Sequence, residues 1–133
     1  MKKSDVLLDK IRNSCEGLDY ISETDSPVTV FLGQHAVEVT RDIVLRQTSN
    51  SPDTQVEERS FDDFFHRLTT VYEGYGEREK ESASKFLRLK RLLEENLREL
   101  KVFKLGGIQL NIYVVGLSED GRLVGVTMKA VET

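Results

Sequence analysis

The stretch VFKLGGIQLNIYVVGLSEDGRLVGVTMKAV, residues 102–131, contains the strongest secondary-structure pattern in the chain. Apolar residues occupy every second position from 108 to 114, a spacing that is typical of a strand with one face in a core. Gly106-Gly107 indicates a two-residue hairpin turn, and Glu119-Asp120-Gly121 indicates a second turn. The stretch therefore predicts three consecutive β-strands, over Val102–Leu105, Ile108–Val114 and Leu123–Val131.

A long helix is predicted immediately before these strands. Apolar residues recur there at helical spacing, at Phe86, Leu89, Leu93, Leu97 and Leu100. Acidic residues are frequent at the start of the segment, where the helix dipole favours negative charge. We expect one helix over Glu77–Leu100.

The N-terminal segment also predicts a helix, over Ser4–Cys15. Its apolar stripe consists of Val6, Leu7, Leu8, Ile11 and Cys15. Ser4 is placed to cap the start of this helix, and Gly17 lies just past its end, where glycine commonly stops a helix. Cys15 is then expected to be a small buried hydrophobic residue rather than a nucleophile.

Between these helices the pattern is weaker. We expect a loop over Ser22–Pro27 and a short strand over Val28–Leu32, which Gly33-Gln34 ends. The segment that follows Thr40 fits either a short helix capped by that residue or a strand, and the helix over residues 41–47 is favoured.

The middle of the chain predicts a strand, a helix and a loop. Gln55–Arg59 is the predicted strand, and Ser60 is placed to cap the helix that follows. The core face of that helix is aromatic and aliphatic, with Phe61, Phe64, Phe65 and Leu68. Val71–Gly76 is expected to be a loop rich in tyrosine and glycine.

The order of the elements indicates the fold class. Helices and strands alternate in the first half, and three strands close the chain, so a single sheet with helices on both faces would bury all the apolar faces. A chain of 133 residues is typical of one domain, and neither a linker nor a repeat interrupts it. We therefore expect an α+β fold in one domain, residues 1–133.

Composition excludes several classes of protein. There is one cysteine, so an intramolecular disulfide or a cysteine-cluster metal site is not possible, and no apolar run approaches the ~20 residues of a membrane span. The net charge is −4, and residues 16–25 hold four acids and no base. This charge argues against direct binding of nucleic acid and favours a basic partner. A free cysteine and the absence of a secretory signal favour the cytoplasm.

Three patterns that suggest enzyme chemistry are incomplete. His66 follows Asp62 by four residues, but no serine or cysteine is placed to complete a nucleophilic relay, and His35 has no ligand-spaced neighbour. Ser82 and Lys85 match the Ser-x-x-Lys spacing without its companion motifs. Gly74-Tyr75-Gly76 lacks the third glycine of a dinucleotide-binding loop. We therefore expect neither a catalytic residue nor a cofactor.

Several short segments, spread from near the N-terminus to the last residue, suggest a family. They are Ile21-Ser22-Glu23, Val30-Phe31-Leu32, Glu38-Val39-Thr40 with Ile43-Val44-Leu45, Phe61-Asp62 with Phe64-Phe65, Arg67, Thr69-Thr70, Lys85-Phe86 and the ending Lys129-Ala130-Val131-Glu132-Thr133. In this order they resemble the nuclease A inhibitor family, over essentially the whole chain. The resemblance implies a three-layer α/β/α sandwich of the PR-1-like type, with a mixed, largely antiparallel sheet.

The same resemblance implies a function. It implies tight inhibition of a sugar-non-specific DNA/RNA nuclease of the ββα-metal class. The simplest expectation for such an inhibitor is a monomer that binds its nuclease one to one. In the family, the C-terminal residue reaches the Mg²⁺ of the nuclease, while acidic and aromatic residues of two loops bind basic residues at the rim of its cleft. No enzyme activity, cofactor or membrane contact is implied for the inhibitor itself.

Individual positions follow from this resemblance. Thr133 matches the metal-reaching residue and Glu132 precedes it, while Glu23 and Glu73 match the acidic contacts of the two loops. The aromatic anchor of the second loop falls at Gly74, where this sequence departs from the family. Tyr72 or Tyr75 is the expected substitute, since tyrosine is a common interface anchor.

Two other functions remain open from the sequence. The departure at Gly74 is compatible with a related binding module that has a different, non-nuclease partner. A small hydrolase that uses His66 with Asp62 or with glutamate residues is the other alternative.

Overall fold

The structure is a computed structural model that describes residues 3–133. This part of the chain contains four helices and seven strands. In chain order they are α1 (Lys3–Cys15), β1 (Asp19–Ile21), β2 (Asp25–Pro27), β3 (Thr29–His35), α2 (Arg41–Gln47), β4 (Val56–Ser60), α3 (Phe61–Thr69), α4 (Glu77–Asn96), β5 (Arg98–Leu105), β6 (Gln109–Leu117) and β7 (Arg122–Val131).

Five of the strands form one sheet, in the order β3-β7-β6-β5-β4, and β1 pairs with β2 in a separate hairpin. Every pairing between the described strands is antiparallel. The α+β class is therefore confirmed, whereas the expectation of a mixed sheet was wrong. Short turns join β5, β6 and β7, so neighbours in the chain are neighbours in the sheet and pair antiparallel. The PR-1-like arrangement stays a prediction.

The sheet carries a hydrophobic core on each face. Val102, Ile112 and Val126 belong to the core that α1, α3 and α4 cover, whereas the core with Phe103 and Val115 includes residues of α2. Successive residues of a strand point to opposite faces, so the two cores lie on opposite sides of the sheet. Helices on both faces were expected from the apolar pattern, and the structure has this arrangement.

Two side-chain caps begin helices where the sequence predicted them. The hydroxyl oxygen of Thr40 accepts a hydrogen bond from the Ile43 amide at 3.3 Å, and α2 follows as a helix rather than a strand. The Ser60 hydroxyl accepts from the Asp63 amide at 3.3 Å and begins α3. Such caps satisfy N–H groups that have no partner within the helix.

The long helix is shorter than predicted. It ends at Asn96, and Leu97 already has an extended backbone, with φ −125° and ψ 148°. The apolar spacing of Leu97 and Leu100 fits a helix, but both side chains pack against the same core from β5 and the residue before it. Glu99 has φ 56°, and the register of β5 against β6 shifts between Arg98 and Lys101, so the first residues of β5 are irregular.

The N-terminal predictions also needed correction. Ser4 lies inside α1 and does not begin it, and Val6 is exposed, outside the buried stripe. Gly17 has φ +69°, which confirms the glycine stop. The predicted loop over residues 22–27 contains β2 of the small hairpin.

The Gly33-Gln34 break was wrong, because β3 continues through both residues to His35. A register shift between Leu32 and His35 accommodates the glycine. The Gln47 side chain approaches Gly33 closely and accepts a hydrogen bond from the Gln34 amide at 2.7 Å. Gly33 therefore does not end β3. It leaves room beside the strand for the Gln47 side chain of α2.

Candidate partner-binding site

The end of β7 lacks a neighbouring strand on one side. β3 pairs with β7 from Thr29 opposite Thr127, and continuing that register would place Pro27 opposite Lys129. Proline has no N–H and cannot continue such a ladder. The last residues of β7 therefore need other hydrogen-bond partners along this edge.

Side chains of the β1–β2 hairpin supply those partners. The Lys129 amide donates to the Ser26 hydroxyl at 2.9 Å, and the Val131 amide donates to the Ser22 hydroxyl at 3.0 Å. The Glu23 amide in turn donates to the Val131 carbonyl at 3.3 Å. The hairpin thus takes the place of a neighbouring strand along the end of β7.

This arrangement brings two predicted site residues together. The Thr133 hydroxyl donates a hydrogen bond to a carboxylate oxygen of Glu23 at 2.8 Å, although the residues lie 110 positions apart in the chain. Both side chains are exposed, so the pair of oxygen groups faces solvent. The role of Glu23 and Thr133 in binding a partner stays a prediction.

The neighbouring residue, Glu132, is held on the other side of the strand. Its amide donates to the Ile108 carbonyl at 2.9 Å, beyond the last paired residues of β6 and β7. Both oxygens of its carboxylate accept a hydrogen bond from Lys104 Nζ, each at 3.1 Å. The sequence analysis did not single out Lys104. The signal that could have identified it is a single charged residue between Phe103 and Leu105 in a predicted apolar strand.

The second predicted loop, residues 71–76, is held by fewer contacts. The rings of Tyr72 and Tyr75 meet edge to face with centroids 5.5 Å apart, and the Tyr75 amide donates to the Tyr72 carbonyl at 3.2 Å. Glu73 and Gly74 at its tip are exposed. Gly74 has φ +90° and no heavy atom within 4 Å of where a Cβ would lie, so there is open space beside this glycine.

Residues of the hairpin and of the second loop line one cleft of about 660 Å³. They are Asp19 and Ile21 of β1 and Tyr75 of the loop, together with Arg78 of α4, whereas neither Glu23 nor Thr133 lines it. Tyr75 therefore lies close to the hairpin that carries Glu23. Tyr72 and Glu73 do not line this cleft, although they belong to the same loop.

The exposed charge around the hairpin is mainly negative. Glu16, Asp19, Glu23 and Asp25 are all exposed. Arg67, Arg78 and Lys85 also line the cleft, together with Asp19, Glu79 and Glu81, and Lys85 lies 3.5 Å from Glu81 in an ion pair. A surface of this kind attracts a positively charged partner.

The patterns that suggested enzyme chemistry do not assemble into sites. Asp62 pairs with Lys90 at 3.9 Å, and His66 is exposed on α3. Lys85 pairs with Glu81 rather than with Ser82. Among residues 3–133, no group of three or more His, Cys, Asp or Glu side chains could hold a metal ion.

Two further predictions concern Cys15 and the membrane. Burial raises the pKa of the Cys15 thiol to about 11, so the thiol is protonated at neutral pH and unreactive as a nucleophile. No helix in the described part of the chain is long and apolar enough to cross a membrane.

Comparison with known proteins agrees with the resemblance found in the sequence. The model of one protein family, described as Nuclease A inhibitor-like protein, matches residues 5–133. No curated protein matches the chain. The match covers both the hairpin with Glu23 and the last strand with Thr133. The chain therefore belongs to the nuclease A inhibitor-like family.

Proposed function

We propose that this protein is an inhibitor of a sugar-non-specific, Mg²⁺-dependent DNA/RNA nuclease of the ββα-metal class. In this proposal it acts in the cytoplasm as a monomer and a single domain, and it binds its nuclease one to one without catalysis of its own. Membership of the nuclease A inhibitor-like family supports an inhibitor role. The observation that carries the proposal is the hydrogen bond from Thr133 to Glu23.

That hydrogen bond prepares oxygen groups for a metal ion. Mg²⁺ prefers hard oxygen ligands. Because the Thr133 hydroxyl donates its proton to Glu23, the lone pairs of its oxygen stay available. We propose that Thr133 contacts the Mg²⁺ of the nuclease, and that Glu132 lies beside it in the interface.

The acidic surface has a separate role in this proposal. A nuclease cleft is basic because it binds phosphates. The exposed carboxylates of the hairpin and of Glu73 would steer the two proteins together and pair with cations at the rim of the cleft. Tyr72 and Tyr75 supply the aromatic contact of the second loop, in place of a side chain at Gly74.

The test is a titration of the full chain into a nuclease of this class while DNA cleavage is followed. We expect stoichiometric inhibition by the full chain. Deletion of Thr133, or Thr133→Val, should weaken inhibition by about 30-fold or more, as expected for a contact at the centre of an interface. Thr24→Val, on the exposed tip of the same hairpin, is the matched control and should change inhibition less than twofold.

Three results would contradict parts of the proposal. Equal inhibition by the full chain and both Thr133 variants would exclude the contact with the metal. Unchanged inhibition after residues are added beyond Thr133 would exclude it as well. A full chain that inhibits no nuclease of the class would reject the inhibitor function.

A second candidate function rests on Gly74. The family's aromatic anchor falls at this residue, and its φ of +90° with open space around it leaves the loop without a central contact. A binding module with a different, basic and non-nuclease partner fits this loop. Capture of such a partner by the full chain, combined with no inhibition of a nuclease, would favour this second function.

A further inference from the structure

Lys104 is an unusual residue in this fold. It lies in β5 between the buried residues Phe103 and Leu105, and only 6% of its surface is exposed. Lysine is almost never buried without a partner of opposite charge. A carboxylate that pairs with the Lys104 ammonium is therefore expected at this position.

That partner is Glu132, which lies two strands away. The order of the sheet places β6 between β5 and β7, so the Lys104 side chain spans β6 to reach the residue after β7. Its ammonium lies 3.1 Å from both carboxylate oxygens of Glu132. Glu132 itself is partly exposed, so the ion pair joins the interior of the sheet to the surface at the candidate site.

The opposite edge of the same segment is held by the hairpin. Ser26 and Ser22 accept from the amides of Lys129 and Val131. Residues 129–132 are thus held from both sides, by serine hydroxyls on one side and by Lys104 with the Ile108 carbonyl on the other. The next residue is Thr133, whose hydroxyl meets Glu23.

We propose that Lys104 is a positioning residue, whose ion pair with Glu132 holds the end of β7 so that Thr133 lies against Glu23. This inference rests on the proposed inhibitor function. Lys104 is buried, so its side chain does not contact a partner directly, and Glu132 links it to the candidate site. A substitution of Glu132 could not separate these roles, because that side chain is exposed in the proposed interface.

The first test measures amide hydrogen exchange in the free, full-length protein. Lys104→Met keeps the length of the side chain and removes its charge. We expect it to speed exchange of the Glu132 amide by about tenfold or more, because an opened strand end exchanges faster. Lys104→Arg should restore slow exchange to within about threefold of the unaltered protein, since arginine also pairs with a carboxylate.

Lys101→Met is the matched control. Lys101 lies in the same strand and pairs with Glu58 at 3.5 Å, away from the end of β7. It should leave exchange of the Glu132 amide within about twofold. Unchanged exchange in Lys104→Met, or equal effects of both methionine variants, would overturn the positioning role.

The second test measures inhibition of the nuclease by the same variants. Lys104→Met should raise the inhibition constant about tenfold, and adding Glu132→Gln should have less effect in that variant than in the unaltered protein. Should Lys104→Met not fold, Glu132→Gln removes the charge of the other partner and should speed exchange of the amide of residue 132 in the free protein. No change in that amide would overturn the positioning role.

The two tests separate failure of the positioning role from failure of the proposed function. If exchange responds as expected while the unaltered protein inhibits no nuclease, the inhibitor function is rejected and the ion pair is shown to order the strand end. If the unaltered protein inhibits and Lys104→Met inhibits equally well, the positioning role is rejected while the inhibitor function stands.

Discussion

The two regions proposed to bind the partner differ in how firmly the fold holds them. The strand end, residues 129–133, bonds to the hairpin through Ser22, Ser26 and Glu23 and to the interior through Lys104. The loop over residues 71–76 has one backbone hydrogen bond and one ring contact across it, and its tip is exposed. One region is therefore ordered before binding, whereas the other has few contacts that order it.

The difference has an energetic consequence. Ordering a side chain at an interface costs about 0.5–1.5 kcal/mol, and a group that is already held avoids most of this cost. We therefore expect the strand end to supply most of the affinity. The loop is expected to contribute less and to decide which partner is accepted, since its side chains can adjust.

The largest expected effect is that of Glu23→Ala. This change removes both the carboxylate that holds the Thr133 hydroxyl and a negative charge facing a basic cleft. We expect inhibition to weaken by about 30-fold or more, or at least ~2 kcal/mol of binding free energy. A titration of nuclease activity measures this change.

The control for Glu23→Ala is Asp25→Ala, which removes an exposed charge from the same hairpin. It should weaken inhibition only a few-fold, because a peripheral charge acts mainly on the rate of encounter. Equal losses in the two variants would mean that charge alone matters. The distinction between Glu23, which holds Thr133, and a peripheral charge of the same hairpin would then be lost.

A smaller effect is expected for Tyr75→Ala in the loop. Tyr75 lines the same cleft as Ile21 of the hairpin, so removal of its ring should weaken inhibition about tenfold, or ~1.4 kcal/mol of binding free energy. Tyr75→Phe keeps the ring and should stay within about twofold of the unaltered protein. Binding by calorimetry would measure both variants, and equal affinities of the alanine and phenylalanine variants would exclude the ring as an anchor.

The smallest effect on binding is expected for Gly74→Ala. Its φ of +90° is unfavourable for alanine, so the variant should lose about 1 kcal/mol of unfolding free energy, while inhibition changes less than twofold. Gly107→Ala is the control, because Gly107 is exposed and has no positive φ. Denaturant unfolding gives the stabilities. A large loss of inhibition in Gly74→Ala would show that the loop must be as well ordered as the strand end.

Much of the fold could be predicted where local pattern and tertiary packing agree. Ser60 with the aromatic face of α3 and the cap at Thr40 were each indicated by neighbouring residues. The predicted two-residue turn at Gly106-Gly107 was wrong, because β6 begins only at Gln109 and Ile108 is an exposed residue of a longer turn. The end of α4 could not be predicted in this way. Leu97 and Leu100 fit a helix or a strand, and the choice depends on pairing with β6 and on Glu99, whose carboxylate accepts from the distant Val39 amide at 3.2 Å.

The candidate site was less accessible to sequence reasoning. The resemblance indicated Glu23 and Thr133 separately, but their contact depends on where the hairpin lies against β7. Nothing in the sequence near Ser22 or Ser26 indicates that their hydroxyls replace a strand, because the partner amides lie more than a hundred residues away. Side-chain contacts over such distances follow from topology, which local patterns do not contain.

The position of β7 in the sheet also bears on how the protein is made. β3 is an edge strand whose partner in the sheet is β7. Thr29 pairs with Thr127, which is synthesised 98 residues later. Before β7 is synthesised, β3 therefore lacks the strand with which it pairs. The serine hydroxyls of the hairpin likewise lack the β7 amides from which they accept hydrogen bonds. Pairing over such a separation is slow, so the sheet and the candidate site form together only after synthesis reaches the last strand.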